Sequence, residues 1–367
     1  MEIKVKIGIL TFHHVDNYGA TLQAYALQKF LRSQGHDVET IDYRPLNAVK
    51  YYTKGLSPIS KGLKLNSFAA RKIFKAWRMR QFLLKHLKLS SSKIYNNAKL
   101  RKLESSYDVV IVGSDQVWCL EPFRGFDPAF FLDFVADEVA KISYASSFGS
   151  TTHLDIYKEQ IYKLVNRFNT ILVRDQNSKE IIEGECQKSA EVVLDPTFLV
   201  KYDDLLKSVK YKENYILLYN QSDLNESEEE FVSVVSKKKN LKIVSVGKYN
   251  RIADENFITA DPSDWLSLFK AATYVVTNTY HGTIFSLIFQ KSFTVLFSSK
   301  KTNKTSNLLG QIGLEGRILL NSNDQNMFLA QLEEVKYEDF QETLDQRIIE
   351  SKNALISALK KLPNTAH

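Results

Sequence analysis

Short apolar runs punctuate the chain and alternate with stretches in which apolar residues return every three or four positions. Residues 5–10, 38–41, 109–112, 142–145, 171–173 and 192–194 have the length and composition of buried strands. Helical patterns lie between most of them. The first helix is the clearest: Asn17 or Asp16 supplies a cap, Leu22, Leu27, Phe30 and Leu31 form an apolar stripe, and Gly35 ends it. A second series follows, with strands at 215–219, 243–246, 274–276 and 294–297 and helices at 228–235, 264–271, 283–289 and 306–312. A long amphipathic helix over about 338–362 finishes the chain. Strands alternating with helices predict largely parallel sheets covered on both faces. The expected fold class is α/β: two doubly wound, Rossmann-like domains facing a cleft, residues 1–200 and 201–367, with the polar stretch 201–214 as linker.

One segment breaks this rhythm. Residues 50–102 hold fifteen Lys and Arg and no Asp or Glu. Within it, Phe68, Ile73, Phe74, Trp77, Phe82, Leu83 and Leu87 interleave with basic residues. The spacing predicts a basic amphipathic helix over 68–87, of the kind that lies on an anionic membrane. The alternative is a helix packed on the sheet with a basic outer face. Nucleic acid is not expected as a partner, because no recognition motif accompanies the charge.

The polar residues concentrate where strands end. Thr277–Phe293 reads as a strand end, a turn and a helix opening at His281-Gly282-Thr283, with Ile284, Leu287 and Ile288 at helical spacing. Ligands of open α/β sheets bind in the crevice outside the strand ends. A helix start there favours an anion, through unpaired N–H groups and a partial positive charge. Gly282 lets backbone approach closely, and His281 can handle a proton. His13, His14 and Asn17 follow the first strand, and Ser114 and Asp115 follow the third. Ser147 and Arg174 end two further strands. Asp115 is the best-placed general base, and Arg174 offers a fork of donors to phosphate or carboxylate. Each has a structural alternative: capping for Asn17, His281 and Asp115, and an ion pair to Asp175 or Asp195 for Arg174. The dinucleotide fingerprint and the phosphate-loop Gly-Lys-Ser/Thr are both missing.

Composition narrows the class. The 367 residues carry a net charge of +7, with 44% hydrophobic and 25% charged residues, as in a water-soluble globular protein. No run of eighteen apolar residues predicts a spanning helix. The opening residues look like a first strand, not a signal peptide. Cys119 and Cys186 make no disulfide framework or zinc pattern, so a reducing cytoplasm is expected.

Six motifs in order, NYGATLQAYALQKFL, VIVGSDQVW, YASSFG, VRDQNS, VLDPTFL and TYHGTIFSLIFQKSF, resemble the polysaccharide pyruvyltransferase family over roughly residues 5–320. The resemblance implies a fold similar to that of GT-B glycosyltransferases. It also implies transfer of pyruvate from phosphoenolpyruvate to a sugar, usually as a cyclic ketal. Within it, Arg174 and His281 match donor-binding positions, and Asp115 matches an acidic active-site position. Gly282 and Thr283 join the donor set. Some members have an arginine two residues before the histidine. Thr279 stands there in this chain, so Lys301, Lys304 or Arg317 would supply the charge. His13, His14, Asn17, Ser114 and Ser147 are expected to meet the acceptor, a saccharide carried on a lipid. Arg174 and His281 are expected to lie across one cleft, one per domain. No cofactor or metal is required, with a divalent ion bridging the phosphate left open. The competing expectation is a nucleotide-sugar glycosyltransferase of the same architecture. The expected location is the cytoplasm, peripheral on the inner membrane face.

Overall fold

The computed structural model describes residues 4–45, 67–121, 125–209, 211, 213–297, 302–320 and 324–362. The first sheet holds six parallel strands: β1 (Lys6–Leu10), β2 (Asp37–Thr40), β3 (Val109–Val112), β4 (Ala140–Ser146), β5 (Thr170–Val173) and β6 (Glu191–Val192). Their order is β2-β1-β3-β4-β5-β6. β3 and β4 are buried along their whole length, as parallel strands covered on both faces must be. On one face, Leu27, Phe30 and Leu31 of α1 (Tyr18–Ser33) pack on Ile7, Ile9, Val109 and Ile111. On the other, Trp118, Phe131, Phe148 and Phe168 form an aromatic cluster. α2 (Ser67–His86), α3 (Lys158–Val165) and α4 (Gln176–Cys186) are the other longer helices described in this half of the sequence.

The second sheet also holds six parallel strands: β7 (Tyr215–Tyr219), β8 (Lys242–Val246), β9 (Glu255–Phe257), β10 (Tyr274–Thr277), β11 (Ser292–Leu296) and β12 (Ile318–Leu319). Their order is β12-β11-β10-β7-β8-β9. Its helices are α5 (Glu226–Lys239), α6 (Pro262–Ala271), α7 (Tyr280–Ile288), α8 (Thr302–Gly310) and α9 (Gln325–Ala330), and α10 (Gln341–Lys360) follows. The α/β class and both parallel sheets agree with the sequence pattern. The edge strands β9 and β12, three and two residues long, leave no mark in that pattern, being too short to show a period.

The chain parts into two compact units between Val200 and Lys201, with two differences from a single cut there. From Asp345 onward the described chain joins the first unit, and the described residues up to Phe82 of α2 join the second. Both differences have a packing cause. Leu355 and Ala358 of α10 sit in the core with Ile7, Ile9 and Val38, and Leu194 donates its N–H to Ser351 Oγ at 2.9 Å. α2 instead sends Arg78 to Asp261 Oδ2 (2.7 Å) and the Thr259 carbonyl (3.0 Å), and Lys75 to the Gly247 carbonyl. Two basic residues of the expected outer face therefore point inward, and Phe82 is buried beside Met79.

Arg317, one of the candidate anion contacts, serves the second core. Its Nε donates to the Phe293 carbonyl, Nη1 to those of Ala330 and Glu333, and Nη2 to Tyr274 Oη and the Gln331 carbonyl. All five N–H groups of the guanidinium are used within the fold, so none remains for a donor substrate. The side chain ties β11 and β10 to the chain after α9. Arg317→Lys keeps the charge but loses the fork, leaving buried carbonyls unpaired. The expected loss is about 2–4 kcal/mol in urea unfolding; a change under about 0.5 kcal/mol would show that the clamp is not structural.

Candidate functional site

In the second sheet the strand order reverses between β7 and β10, since the chain leaves β7 towards β8 and β10 towards β11. The loops after these two strands therefore diverge and open a crevice at their carboxyl ends. Side chains fill the backbone demands there. Thr277 Oγ1 donates to the Tyr219 carbonyl (2.6 Å), bridging the strand ends. Asn278 Oδ1 accepts the N–H of Gln221 (3.0 Å), and its amide donates to Ser222 Oγ (2.8 Å). Behind them Asn220 and Asn250 exchange amide hydrogen bonds.

α7 starts from this crevice, one residue before His281. Thr279 is its cap and accepts the N–H of Gly282 at 3.0 Å. Its hydroxyl also meets Thr277 Oγ1 at 2.9 Å. A Cβ on Gly282 would sit 2.2 Å from Thr277 Oγ1 and 2.6 Å from Thr279 Oγ1, so only glycine fits beneath the cap. The Gly282 N–H is thus spent on Thr279 and not on an anion. Thr283, fully buried, donates its hydroxyl to the Thr279 carbonyl (3.2 Å), which removes it from a ligand as well. His281 is the second residue of the helix and 9% exposed, its ring edge-on to Tyr280. No acid occupies the first turn of the helix. Lys304 lies partly exposed on α8, and Lys301 lies outside the described residues.

The first sheet reverses between β1 and β3, and the same logic recurs. Thr11 Oγ1 donates to the Ser114 carbonyl at 2.7 Å, joining the two strand ends. Gln23 of α1 reaches back to Thr11 Oγ1 and the Phe12 carbonyl. Asp115 takes φ +85°, a conformation costly for residues with a side chain, and Ala145 takes φ +54° in an irregular stretch of β4. Asp115 Oδ1 accepts the N–H of Gln116 at 2.7 Å. Such strain persists only where the surrounding structure holds it in place.

Arg174 resolves one alternative left open by the sequence. Its Nη1 lies 3.3 Å from Asp195 Oδ2, with side chains 2% and 0% exposed. Ser114 Oγ donates to the same carboxylate oxygen at 2.9 Å. Thr197 occupies the other oxygen through its N–H and hydroxyl. Asp175 is engaged elsewhere, capping α4 through Ser178 and accepting the hydroxyl of Ser147. Ser114 and Ser147, two acceptor candidates, are thereby interior struts.

The remaining acceptor candidates also separate. Asn17 caps α1, accepting from Gly19 and Ala20. His13 is fully buried, with Nδ1 3.0 Å from the Thr11 carbonyl and Nε2 3.0 Å from Asp42 Oδ1. Burial opposes ionisation of Asp42, but the hydrogen bonds from His13 and Arg44 outweigh it and hold its carboxyl far below the usual range. Both ring nitrogens of His13 thus lie within hydrogen-bond reach of oxygen atoms. His14 is the opposite case. Neither ring nitrogen has a hydrogen-bond partner among the described residues. Burial, then the charges of His13 and Arg44, push its pKa down to about 3, so the imidazole is neutral at neutral pH. Of the five, His14 is the one whose buried ring nitrogens no described group takes. Sequence reasoning missed Thr11, Gln23, Asp42 and Asn220. Only their position near strand ends could have signalled them.

A sequence profile of polysaccharide pyruvyl transferases matches residues 17–298. No curated protein matches by sequence. The fold resembles the structure assigned as a UDP-N-acetylglucosamine 2-epimerase of Listeria monocytogenes, with TM-score 0.54 and 11% identity over 98% of this chain and 96% of that one. It also resembles the UDP-GlcNAc 2-epimerase of Neisseria meningitidis bound to UDP-GlcNAc, with TM-score 0.52 and 9% identity over 98% and 100%. An alpha-glucosyltransferase in complex with UDP and DNA gives 0.50 and 12% over 96% and 95%. At such identities these likenesses show the fold alone, the two-domain parallel α/β architecture expected from the motifs. With most of its length matched by the profile, the chain belongs to the polysaccharide pyruvyl transferase family.

Proposed function

We propose that the protein moves the pyruvyl group of phosphoenolpyruvate onto a saccharide of a lipid-linked surface-polysaccharide precursor, closing a cyclic ketal. The observation that carries the reading is His281 in the first turn of a helix that opens at the strand-order reversal, inside the matched family region. Phosphoenolpyruvate carries roughly three negative charges near neutral pH, and a helix start without acids suits it. The chemistry needs a proton on the methylene carbon and an attack by a sugar hydroxyl on C2. Phosphate then leaves, carrying away the proton of the second hydroxyl as that oxygen closes the ring. His281 supplies the proton to the methylene carbon. Asp115 takes the proton of the attacking hydroxyl, and the neutral His14 contacts the acceptor. Arg174 supports donor binding from its place beside Asp195.

The likeness to UDP-dependent enzymes favours one competing reading, glycosyl transfer from a nucleotide sugar. Incubation with phosphoenolpyruvate and a lipid-linked saccharide should add the mass of pyruvate less water and release phosphate. Addition of a hexose from a nucleotide sugar, with phosphoenolpyruvate untouched, would favour the competitor.

His281→Ala should lose pyruvyl transfer by ~10²-fold or more, the usual contribution of a positioned proton carrier. Turnover near wild type at saturating phosphoenolpyruvate would remove His281 from the chemistry.

Asp115→Asn keeps a residue tolerant of positive φ and removes the base. Stability should stay within about 0.5 kcal/mol while kcat falls ~10²–10⁴-fold. An unchanged kcat would leave Asp115 with a purely backbone role.

Arg174→Ala leaves Asp195 buried without its cation, and the expected destabilisation is about 3–5 kcal/mol. The double change Arg174→Met with Asp195→Asn should recover most of that loss. If Arg174 also supports the donor, the recovered protein keeps a raised KM for phosphoenolpyruvate. A KM restored along with stability would confine Arg174 to the fold.

A further inference from the structure

The inner side of α2 is fixed by its ion pairs, and this decides what its outer side exposes. Arg78 and Lys75 point inward to Asp261, Thr259 and Gly247, and Met79 and Phe82 are buried beside them. These contacts set which side of the helix faces inward. Ile73, Phe74 and Trp77 are therefore held in solvent, 44%, 49% and 54% exposed. The rings of Phe74 and Trp77 stack on each other, centroids 5.7 Å apart and planes at 18°. Arg71, Lys72 and Arg80 are exposed around them. No Asp or Glu occurs anywhere from residue 50 to 102.

We propose that this outer face of α2 docks on an anionic lipid bilayer. Phe74 and Trp77 enter the headgroup boundary, and Arg71, Lys72 and Arg80 meet lipid phosphates. The proposal stands apart from the pyruvyl-transfer reading and does not need it. The argument is charge complementarity joined to amphipathic shape. Aromatic side chains favour the interfacial depth of a membrane, and basic residues flanking them keep their charges in the phosphate layer. A second copy of the chain is disfavoured as occupant, because the patch would bring like charges together. Single-stranded nucleic acid stacks its bases on aromatic faces, and one face of each ring is already covered by the other.

The full-length protein carries its own probe. Of three tryptophans, Trp118 and Trp265 are 1% and 0% exposed, so a change in emission on lipid binding reports Trp77. Vesicles of phosphatidylcholine with phosphatidylglycerol should shift the emission to the blue and shield it from acrylamide. Vesicles of phosphatidylcholine alone should do neither. Co-sedimentation should weaken with added salt, since surface potentials fall off within about a Debye length. Arg71→Gln, Lys72→Gln and Arg80→Gln should each lower partitioning roughly fivefold. Phe74→Ser should weaken it without changing the salt dependence. These side chains are exposed, so the variants keep the fold. An emission unchanged by anionic vesicles, or pelleting indifferent to the substitutions, would overturn the proposal. So would a Trp77-dependent dimer without lipid, or tighter binding to single-stranded nucleic acid.

Discussion

Reversal of strand order is the constraint on which the rest depends. Where β7 lies beside β10, the chain leaves the two strands in opposite directions. The backbone groups left there must still be satisfied. Thr277 answers by donating across to Tyr219, and Asn278 answers by receiving Gln221. Thr279 then caps α7, and the space under its hydroxyl admits only a glycine at 282. His281 is thus placed by a chain of local necessities. The threonines and the glycine are occupied in building the helix start.

The first sheet meets the same constraint with costlier means. Its strand ends are bound by a buried ion pair, Arg174 with Asp195, and by a hydrogen-bonded cluster of His13, Asp42 and Arg44. Buried charges stabilise little by themselves, but removing one member leaves the other stranded. Such networks fix geometry more than they add stability. The strained backbone of Asp115 rests among them, and strain of that kind persists only where its surroundings determine it. His14 lies within this rigid frame, neutral and without a hydrogen-bond partner among the described residues.

Much of this is legible in the sequence, and the failures have physical causes. Fully apolar strands such as β3 and β7 announce themselves, because parallel strands are buried on both faces. The sequence offers Asn17 or Asp16 as the cap of α1, and Asn17 is the residue that caps it. By contrast, nothing in the sequence says that Arg317 will spend five donors on the fold. That depends on β11 and the chain after α9 meeting at one point. Likewise the residue types at 71–82 mark α2 as amphipathic, but which side turns inward depends on Asp261 and Asp264, about 180 residues away. For the same reason, α10 reads as a close to the second series while its apolar stripe packs into the first core. Serines 114 and 147 look like ligand contacts in a motif, yet each is committed to a carboxylate.

The central claim is a protonation at carbon followed by ketal closure, and heavy water exposes both at once. In D₂O, with phosphoenolpyruvate and a lipid-linked saccharide, the methyl group of the new ketal should carry one deuterium, delivered from an exchangeable donor such as the His281 ring. Nuclear magnetic resonance or mass spectrometry of the product reads it directly. A ketal methyl without deuterium would contradict the proton transfer, and an acceptor that gains a sugar instead of a pyruvyl group would contradict the whole account.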